Sequence, residues 1–314
     1  MEHSIFEELP EDYDEMRDLQ YGWYFSRLHY LITKHVICGF RPESVLDVAC
    51  GTGLQSHLYA CGGARVTGVD ISKILVDQTK NKNICFSPAD GLRIFPIHLD
   101  FVRTYNKKIA GALGINKNSG LMKKKPTFSL ADARKLPFGK HAFDHVNMVG
   151  ALSFIERYPD VLSEIKRVLK SGGTLFIEVE NRWNMDILWR GLNSLLDNRL
   201  GYNTTSRDFM RLLFSRPTES VSAGYPFILR DKVEDVKARY FTFASLTREL
   251  KKHGFSVLNK WSIHSVTNVL PITYLGRDYP PPRRRKIFSL LSFIEERFPF
   301  YLPGLTLVVL AKKQ

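Results

Sequence analysis

VLDVACGTGLQSHLYACGGARVTGVD, residues 45–70, is the stretch that decides the fold. An apolar run ends at the turn Gly51-Thr52-Gly53, a segment of helical character comes next, and a second apolar run closes the stretch. Strand, glycine turn, helix and strand in this order predict one unit of a parallel sheet with helices packed on it. One acid, Asp47, stands just ahead of the turn, and a second, Asp70, ends the second run.

The glycine turn does not match a phosphate-binding motif. The third glycine of GxGxxG is replaced by Ser56, and the Gly-Lys-Ser/Thr ending of a phosphate loop is missing. Asp47 would also repel a pyrophosphate held at the helix N-terminus. A cationic ligand without phosphate removes the conflict, and S-adenosylmethionine (AdoMet) carries an ammonium and a sulfonium. Asp70 follows Gly51 at about the 20-residue spacing of an acid that binds ribose hydroxyls. The structural alternative for Asp47 is that it caps the turn.

The rest of the chain continues the alternation of strands and helices, which predicts an α/β fold with a doubly wound parallel sheet. The predicted strands are Ser44–Val48, Arg65–Val69, Thr127–Leu130, Ala142–Met148, Thr174–Val179, Phe255–Ser265 and Leu305–Ala311. The predicted helices are Gly53–Ala60, Ser72–Lys80, Pro159–Leu169 and Thr242–Lys252.

Two similar segments compete for the third strand, FSPADGLRIFP at 86–96 and FSLADARKLPF at 128–138. We assign the second, because Pro88 would interrupt the first as a central strand. The first then belongs to an insertion, which we expect to carry some helix because long structureless loops are unusual. The domain plan is an N-terminal helical cap at 1–40, a core at 41–181 with a basic insertion at about 81–126, a helical lid at 182–240, and the rest of the core at 241–314 with an inserted helix at about 283–298.

Composition is that of a globular protein, 44% hydrophobic and 25% charged, with a net charge of +13. Ten Lys and Arg residues stand against two acids between Lys80 and Lys125. This stretch either meets RNA, anionic lipid or another acidic partner, or is simply solvated. The four cysteines show no CxxC pair, so we expect reduced thiols and no metal site. An acidic segment at 1–13, unlike a signal peptide, and the lack of an apolar run near eighteen residues favour a cytoplasmic location.

Five motifs in order, VLDVACGTG, VTGVDIS, ADARKLPF, AFDHV and EIKRVLKSGGTLFIEV, resemble class I AdoMet-dependent methyltransferases, especially the quinone-biosynthesis-like small-molecule branch. The resemblance covers residues 41–181 outside the basic insertion and, more loosely, residue 242 to the end. It implies a seven-stranded sheet whose final strand, Leu305–Ala311, is antiparallel, with AdoMet as methyl donor and S-adenosylhomocysteine as product.

Transferred position by position, the resemblance assigns each part of AdoMet to named residues. Those at the methionine moiety are Asp47, Ala49, Cys50, Gly51 and Gly53. The remaining ones are Asp70 at the ribose diol, Ile71 and Ala133 against the adenine ring, Asp132 at the adenine amino group, and Val149 near the sulfonium. Ala49 stands where the family often has glycine, which is tolerable if its backbone angles are ordinary. Asp132 has an alternative as the N-cap of a short helix.

The segment after the fourth strand narrows the choice of acceptor. NMVGAL lacks the Asn-Pro-Pro-Tyr/Phe signature linked to amino groups of adenine or glutamine, and no Pro-Cys pair indicates pyrimidine methylation. The Trp- and Leu-rich ENRWNMDILWRGLNSLL favours a small aromatic, isoprenoid or lipid-like acceptor methylated at O or C, unless those residues only pack the lid's own core. Tyr24, Asn181 and Trp183 are candidate substrate contacts. His264 is the candidate base, with a structural role as its alternative.

Three alternatives stay open. An RNA-directed methyltransferase, or a nucleic-acid-binding protein of this fold, would use the basic insertion. A degenerate member would bind AdoMet without catalysis. The segment PPPRRRKIFSLLSFIEERFPF at 280–300 has a basic cluster ahead of a helix with Ile287, Leu290, Leu291 and Ile294 on one side. That helix either lies on anionic membrane or packs its apolar side on the domain, and we favour packing.

Overall fold

A computed structural model describes residues 24–80, 86–87, 91–92, 100–115, 124–196, 206–216, 218–222, 237–267, 282–297 and 304–314. The helices are α1 (24–32, continued by a π-helical turn at Thr33–Ile37), α2 (Leu54–Cys61), α3 (Lys73–Lys80), α4 (Asp100–Leu113), α5 (Tyr158–Val168), α6 (Met185–Leu195), α7 (Ser206–Phe214), α8 (Phe243–Lys252) and α9 (Pro282–Arg297). The strands are β1 (Ser44–Val48), β2 (Arg65–Asp70), β3 (Phe86–Ser87), β4 (Gly91–Leu92), β5 (Thr127–Leu130), β6 (Phe143–Met148), β7 (Leu169–Glu180), β8 (Ser220–Ser222), β9 (Lys237–Arg239), β10 (Phe255–Ile263) and β11 (Thr306–Lys313).

One seven-stranded sheet organises the chain, in the order β10-β11-β7-β6-β1-β2-β5. The five strands from β7 to β5 pair in parallel, whereas β11 lies antiparallel between β7 and β10. This confirms the predicted doubly wound sheet with an antiparallel final strand. β5 takes the third-strand position, as predicted, and β3 and β4 form a separate two-stranded pair.

Helices cover both faces of the sheet. One apolar cluster joins α1, α2 and α4 to side chains such as Val45, Val66 and Phe176. The other joins α5 and α8 to Leu46, Val146 and other side chains of the opposite face. Because both faces are buried, the central strands are apolar along most of their length. Ser72 begins α3 by accepting the N–H of Leu75 at 3.3 Å, and the cap predicted there is present.

Several strand boundaries differ from the predictions, most of them by one or two residues. β7 starts at Leu169 rather than Thr174, and the pairing of β6 with β7 is irregular between Phe143 and His145, where the glycines at 172–173 are accommodated. β10 ends at Ile263, two residues before the predicted end, because the next residue, His264, has a φ of 60° and cannot continue the strand.

The inserted segments carry their own structure. In the basic insertion, α4 supplies the predicted helix and packs Ile109 into the core, while residues 81–85, 88–90, 93–99 and 116–123 lie outside the described residues. The lid holds α6 and α7 but also the β8–β9 pair, so it is not wholly helical, and it has a small core of its own that includes Ile187 and Leu212. No helix in the described parts of the chain is long and apolar enough to cross a membrane.

The C-terminal inserted helix, α9, matches its predicted position and part of its predicted packing. Of the expected apolar side, Ile287 and Leu290 are 43% and 58% exposed, whereas Leu291 and Ile294 are half-buried. The buried Glu295 carboxylate of this helix adds hydrogen bonds to backbone N–H groups at 264–267.

Candidate functional site

The candidate cofactor residues lie at the carboxyl edge of the parallel strands. In an open α/β sheet this edge forms the ligand crevice. The loop 49–53 follows β1, Asp70 ends β2, the segment 131–133 follows β5, and Val149 follows β6. Two hydrogen bonds tie these segments together: Gly51 N–H donates to Asp70 Oδ2 at 2.8 Å, and Ala131 N–H donates to the carbonyl of Asp70 at 2.9 Å.

The loop backbone has three left-handed residues, Ala49 at φ 54°, Gly51 at φ 54° and Gly53 at φ 80°. The condition under which alanine would be tolerable at position 49, ordinary backbone angles, is therefore not met. This left-handed conformation costs a residue with a Cβ about 1–2 kcal/mol, so glycine would be less strained at this position. The strained alanine is retained in a loop that approaches the candidate ligand, where such strain tends to concentrate.

The two loop glycines are needed for different reasons. A Cβ on Gly53 would come within 2.4 Å of Thr79 Cγ2 and 3.0 Å of Phe128, so this glycine allows α2 to pack closely on its neighbours. A Cβ on Gly51 would meet no protein atom within 4 Å. The space beside Gly51 is therefore open, which fits a backbone that a ligand approaches.

Asp47 is buried beneath this loop. Its Oδ2 accepts the Ser56 hydroxyl at 2.6 Å, and its Oδ1 accepts the Asn147 amide at 2.7 Å. Burial raises the pKa of Asp47 to about 6, although both hydrogen bonds oppose the shift. Asp47 also accepts a hydrogen bond from the backbone of Ser56, in the first turn of α2, and this second bond supports the capping alternative. Capping alone does not explain why the carboxylate is kept in an environment that disfavours its charge.

Asp70 is also largely buried, and it organises the loop. Besides the bond from Gly51, its Oδ1 accepts the N–H of Ser72 at 2.9 Å. Burial raises its pKa, against these backbone bonds. In the described residues, neither Asp47 nor Asp70 pairs with a basic side chain. Two buried acids without a cationic partner at a cleft are a favourable place for a cationic ligand.

Cys50 lies between the two acids and is not a nucleophile by this geometry. Burial, with the charges of Asp47 and Asp70, raises the pKa of its thiol well above the usual value, so the thiol stays protonated. Its side chain is buried and its contribution to the site is that of the loop backbone.

The structure places only some of the residues that were predicted to contact adenine as expected. Ala133 is buried and Ile71 is 48% exposed at the end of β2, which leaves an apolar side chain open to the crevice edge. The Asp132 carboxylate turns to Arg134 and accepts from its guanidinium at 2.8 and 3.0 Å. The Arg134 backbone N–H also donates to Asp132 Oδ1 at 2.8 Å, but the residues that follow Asp132 form a turn and not the short helix of the N-cap alternative.

Beside Val149, at the predicted sulfonium end, lies a buried acid that the sequence did not indicate. Glu178 Oε2 accepts the N–H of Gly150 at 2.7 Å, and its carboxyl also bonds Tyr24 and Thr306. The Tyr24 hydroxyl lies 3.1 Å from Thr306 Oγ1. Burial raises the pKa of both Glu178 and Tyr24.

His264 lies next to this cluster but is not placed to act as a base. Its ring is 5.3 Å from that of Tyr24, it is buried, and Nδ1 is 2.7 Å from Thr267 Oγ1. Burial lowers its pKa well below the usual value. The carboxylate of Glu295 on α9 accepts the backbone N–H of His264 at 3.0 Å and pairs with Arg27. These hydrogen bonds, and a pKa that burial moves away from neutral, favour the structural alternative for His264.

The two other predicted substrate contacts differ in exposure. Asn181 is buried, and its amide bonds the carbonyls of Gly304 at 2.7 Å and Trp183 at 3.1 Å. Its side chain holds the start of the lid in place and does not face a substrate. Trp183 is 56% exposed, with Arg182 over its ring, and stays available for contact.

Comparisons with known proteins agree with this geometry. Two family models, each described as a methyltransferase domain, match residues 45–104 and 105–177. A demethylmenaquinone methyltransferase of Symbiobacterium thermophilum is 28% identical over 208 residues, 62% of this chain and 67% of that protein. The ubiquinone/menaquinone biosynthesis C-methyltransferase UbiE of Paracoccus denitrificans is 25% identical over 182 residues, 56% of this chain and 57% of that protein. The chain thus matches between about half and two thirds of these relatives' length. The crystal structure of the PH0226 protein from Pyrococcus horikoshii OT3 covers 98% of this chain at 16% identity with a TM-score of 0.50.

The fold, the glycine loop and the matched domains define a class I AdoMet-dependent methyltransferase. Within that class, the chain is similar to the quinone-biosynthesis methyltransferases named above. AdoMet is the cofactor of this class, and the residues present fit it: buried acids without a basic partner in the described residues, and open space beside Gly51.

Proposed function

We propose that the protein methylates an O or C atom of a small, apolar acceptor of quinone, isoprenoid or lipid-like character. The observation that carries this is the lid. Apolar side chains that its own small core does not bury stand exposed on the lid, the segment that leaves the carboxyl end of β7, which is unusual for surface helices without a partner. These are Trp183, Leu188, Leu192, Leu195, Met210 and Phe214.

AdoMet supplies an activated methyl group when bound. Asp47 would receive its ammonium, Asp70 its ribose hydroxyls, and the loop at 49–53 its methionine backbone, while Ile71 and Ala133 would lie against adenine. The chain's main contribution is orientation, because methyl transfer is an in-line displacement that gains most from holding the reacting groups in place. Asp132 keeps its proposed role at the adenine amino group only if its bond to Arg134 opens.

For a proton that must leave the acceptor, we propose Glu178 in place of His264. Glu178 lies beside Gly150, directly after Val149, and its raised pKa is nearer the working range of a general base than that of an ordinary glutamate. Tyr24 bonds the same carboxyl and is positioned to orient it.

Isotope transfer tests the acceptor class. Radiolabelled AdoMet and the full chain are incubated with a bacterial extract, and counts are separated into organic-solvent, RNA and protein fractions. Label in the organic fraction, absent from the Asp70→Ala variant, is expected. Label in RNA alone would favour the RNA-directed alternative. Within the described part of the basic insertion, Lys108 of α4 lies over the rings of Tyr30 and Tyr105, so this lysine has contacts within the chain. We further propose a cytoplasmic location, with α9 as a peripheral contact to anionic membrane.

A further inference from the structure

A line of buried polar side chains runs from Asp47 down through the sheet. Asn147 Nδ2 is 2.7 Å from Asp47 Oδ1, and Asn147 Oδ1 is 3.2 Å from the Tyr59 hydroxyl. The same hydroxyl is 2.9 Å from His145 Nε2, and His145 Nδ1 is 2.8 Å from Thr174 Oγ1. The side chains of Asn147, Tyr59 and His145 are fully buried.

These contacts assign a direction to every hydrogen bond. The Asp47 carboxylate only accepts, so Asn147 must present its amide nitrogen there and its carbonyl oxygen to Tyr59. The single Tyr59 proton then goes to Asn147, and the Tyr59 oxygen accepts from Nε2–H of His145. Nδ1 of His145 is then left without a proton and accepts from the Thr174 hydroxyl, although the Thr174 backbone also lies against this ring and favours its protonated form. In the other tautomer, Nε2 of His145 carries no proton, and the Tyr59 hydroxyl would donate to it. The oxygens of Tyr59 and Asn147 would then face each other with no proton between them.

We propose that Thr174, His145, Tyr59 and Asn147 form a one-way chain of donors that positions the Asp47 carboxylate to receive the AdoMet ammonium. This rests on the cofactor site proposed above. Tyr59 and His145 are positioning residues, since they act on the ligand only through Asn147 and Asp47. The imidazole suits this place because it can accept a proton at one nitrogen and donate from the other while staying neutral. Burial lowers its pKa to about 3, so it stays neutral at physiological pH.

The donor chain matters because no titratable group that acts on the Asp47 carboxylate stabilises its negative charge. The titratable groups that act on it are the Asp70 carboxyl, the Cys50 thiol and the Tyr59 hydroxyl, and none of these is a cation. Ser56 fixes one carboxylate oxygen, and the donor chain fixes the other. Without the Tyr59 hydroxyl, the Asn147 amide is free to turn its oxygen toward Asp47, which would repel the carboxylate and disfavour its charged form.

The tautomer of His145 is the first test, and it needs no ligand. Long-range proton–nitrogen NMR spectra of the uniformly labelled full chain distinguish protonated from unprotonated ring nitrogens, and comparison with His145→Gln assigns the signals. The Nε2–H tautomer is expected. The Nδ1–H tautomer, or a charged ring at neutral pH, would overturn the donor chain.

The second test separates positioning from folding. Tyr59→Phe, which keeps the ring, is compared with Tyr158→Phe, another buried tyrosine that lies outside this donor chain. Calorimetry with AdoMet is expected to show about tenfold weaker binding for Tyr59→Phe and unchanged binding for Tyr158→Phe. The loss for Tyr59→Phe should grow as pH falls, because Asp47 protonates more readily. If wild type and Tyr59→Phe bind AdoMet equally well, the positioning role is overturned and the proposed cofactor site is not. No binding by wild type would overturn the proposed cofactor site, while leaving the tautomer result intact.

Discussion

The backbone N–H of Gly51 donates a 2.8 Å hydrogen bond to Oδ2 of Asp70, although the two residues belong to different strand–helix units. The bond fixes the glycine loop after β1 against the end of β2, so one carboxylate both shapes the crevice and faces it. Asp47, beneath the same loop, is a second buried acid, and in the described residues neither acid has a basic partner. A cationic ligand would therefore supply the charge that both carboxylates lack.

Asp47→Asn should weaken AdoMet binding by at least about tenfold, because the cofactor ammonium loses its carboxylate. The same change should favour folding at higher pH. The pKa of folded Asp47, raised from 3.8 to about 6 by burial, means that its contribution to stability is full below the unfolded value and lost as pH rises through about 6. Between about pH 4 and pH 8, the free energy of unfolding of wild type should therefore fall by up to about 3 kcal/mol relative to that of Asp47→Asn. Urea unfolding across pH measures this, and a pH-independent difference would contradict it.

Ala49→Gly should stabilise the protein by about 0.5–1 kcal/mol. Relief of the left-handed strain at φ 54° exceeds the extra backbone entropy that glycine loses on folding. The measurement is the free energy of unfolding by denaturant, with Ala64→Gly, a buried alanine without a positive φ, as the matched control that should be destabilised. If both variants lost stability equally, the loop geometry would be wrong.

Gly51→Ala and Gly53→Ala should separate ligand binding from packing. An added Cβ at Gly51 meets no protein atom within 4 Å, so stability should fall by only about 1 kcal/mol while AdoMet binding is blocked. At Gly53 it clashes with Thr79 and Phe128, and the loss of stability should be about 2–4 kcal/mol. Calorimetric binding and thermal unfolding are measured on both. Normal binding by Gly51→Ala would show that the cofactor does not approach this face of the loop.

Glu178→Gln should lower kcat strongly and leave AdoMet binding nearly unchanged. Wild-type activity should fall as pH falls, since burial raises the pKa of this carboxyl and its protonated form cannot accept a proton. The variant should lack that acid limb. Glu180→Gln, two residues further along β7, is the control. A wild-type pH profile retained by Glu178→Gln would exclude Glu178 as the base.

The sheet and the candidate cofactor loop were predictable because they rest on local patterns. The run Val45–Val48, the two-glycine turn and the acid at 70 specify strand, turn and strand from nearby residues alone. The choice of Thr127–Leu130 over residues 86–96 for the third strand depended on one proline, and the structure confirms it.

The features that escaped prediction depend on distant contacts. His264 is buried because Glu295, 31 residues later on an inserted helix, accepts its backbone N–H. Ala49 has an angle that its residue type disfavours, so only the packed loop reveals it. His145 and Asn147, two residues apart on β6, carried a usable signal: polar residues in a strand between two parallel neighbours must be buried, and therefore hydrogen-bonded.

Isothermal titration of the purified full chain with AdoMet and with S-adenosylhomocysteine, beside Asp70→Ala, tests the cofactor assignment most directly. Both ligands should bind wild type, and Asp70→Ala should lose them. A folded protein that takes up NADH but neither of these ligands, or an Asp70→Ala variant that binds them as well as wild type, would contradict it.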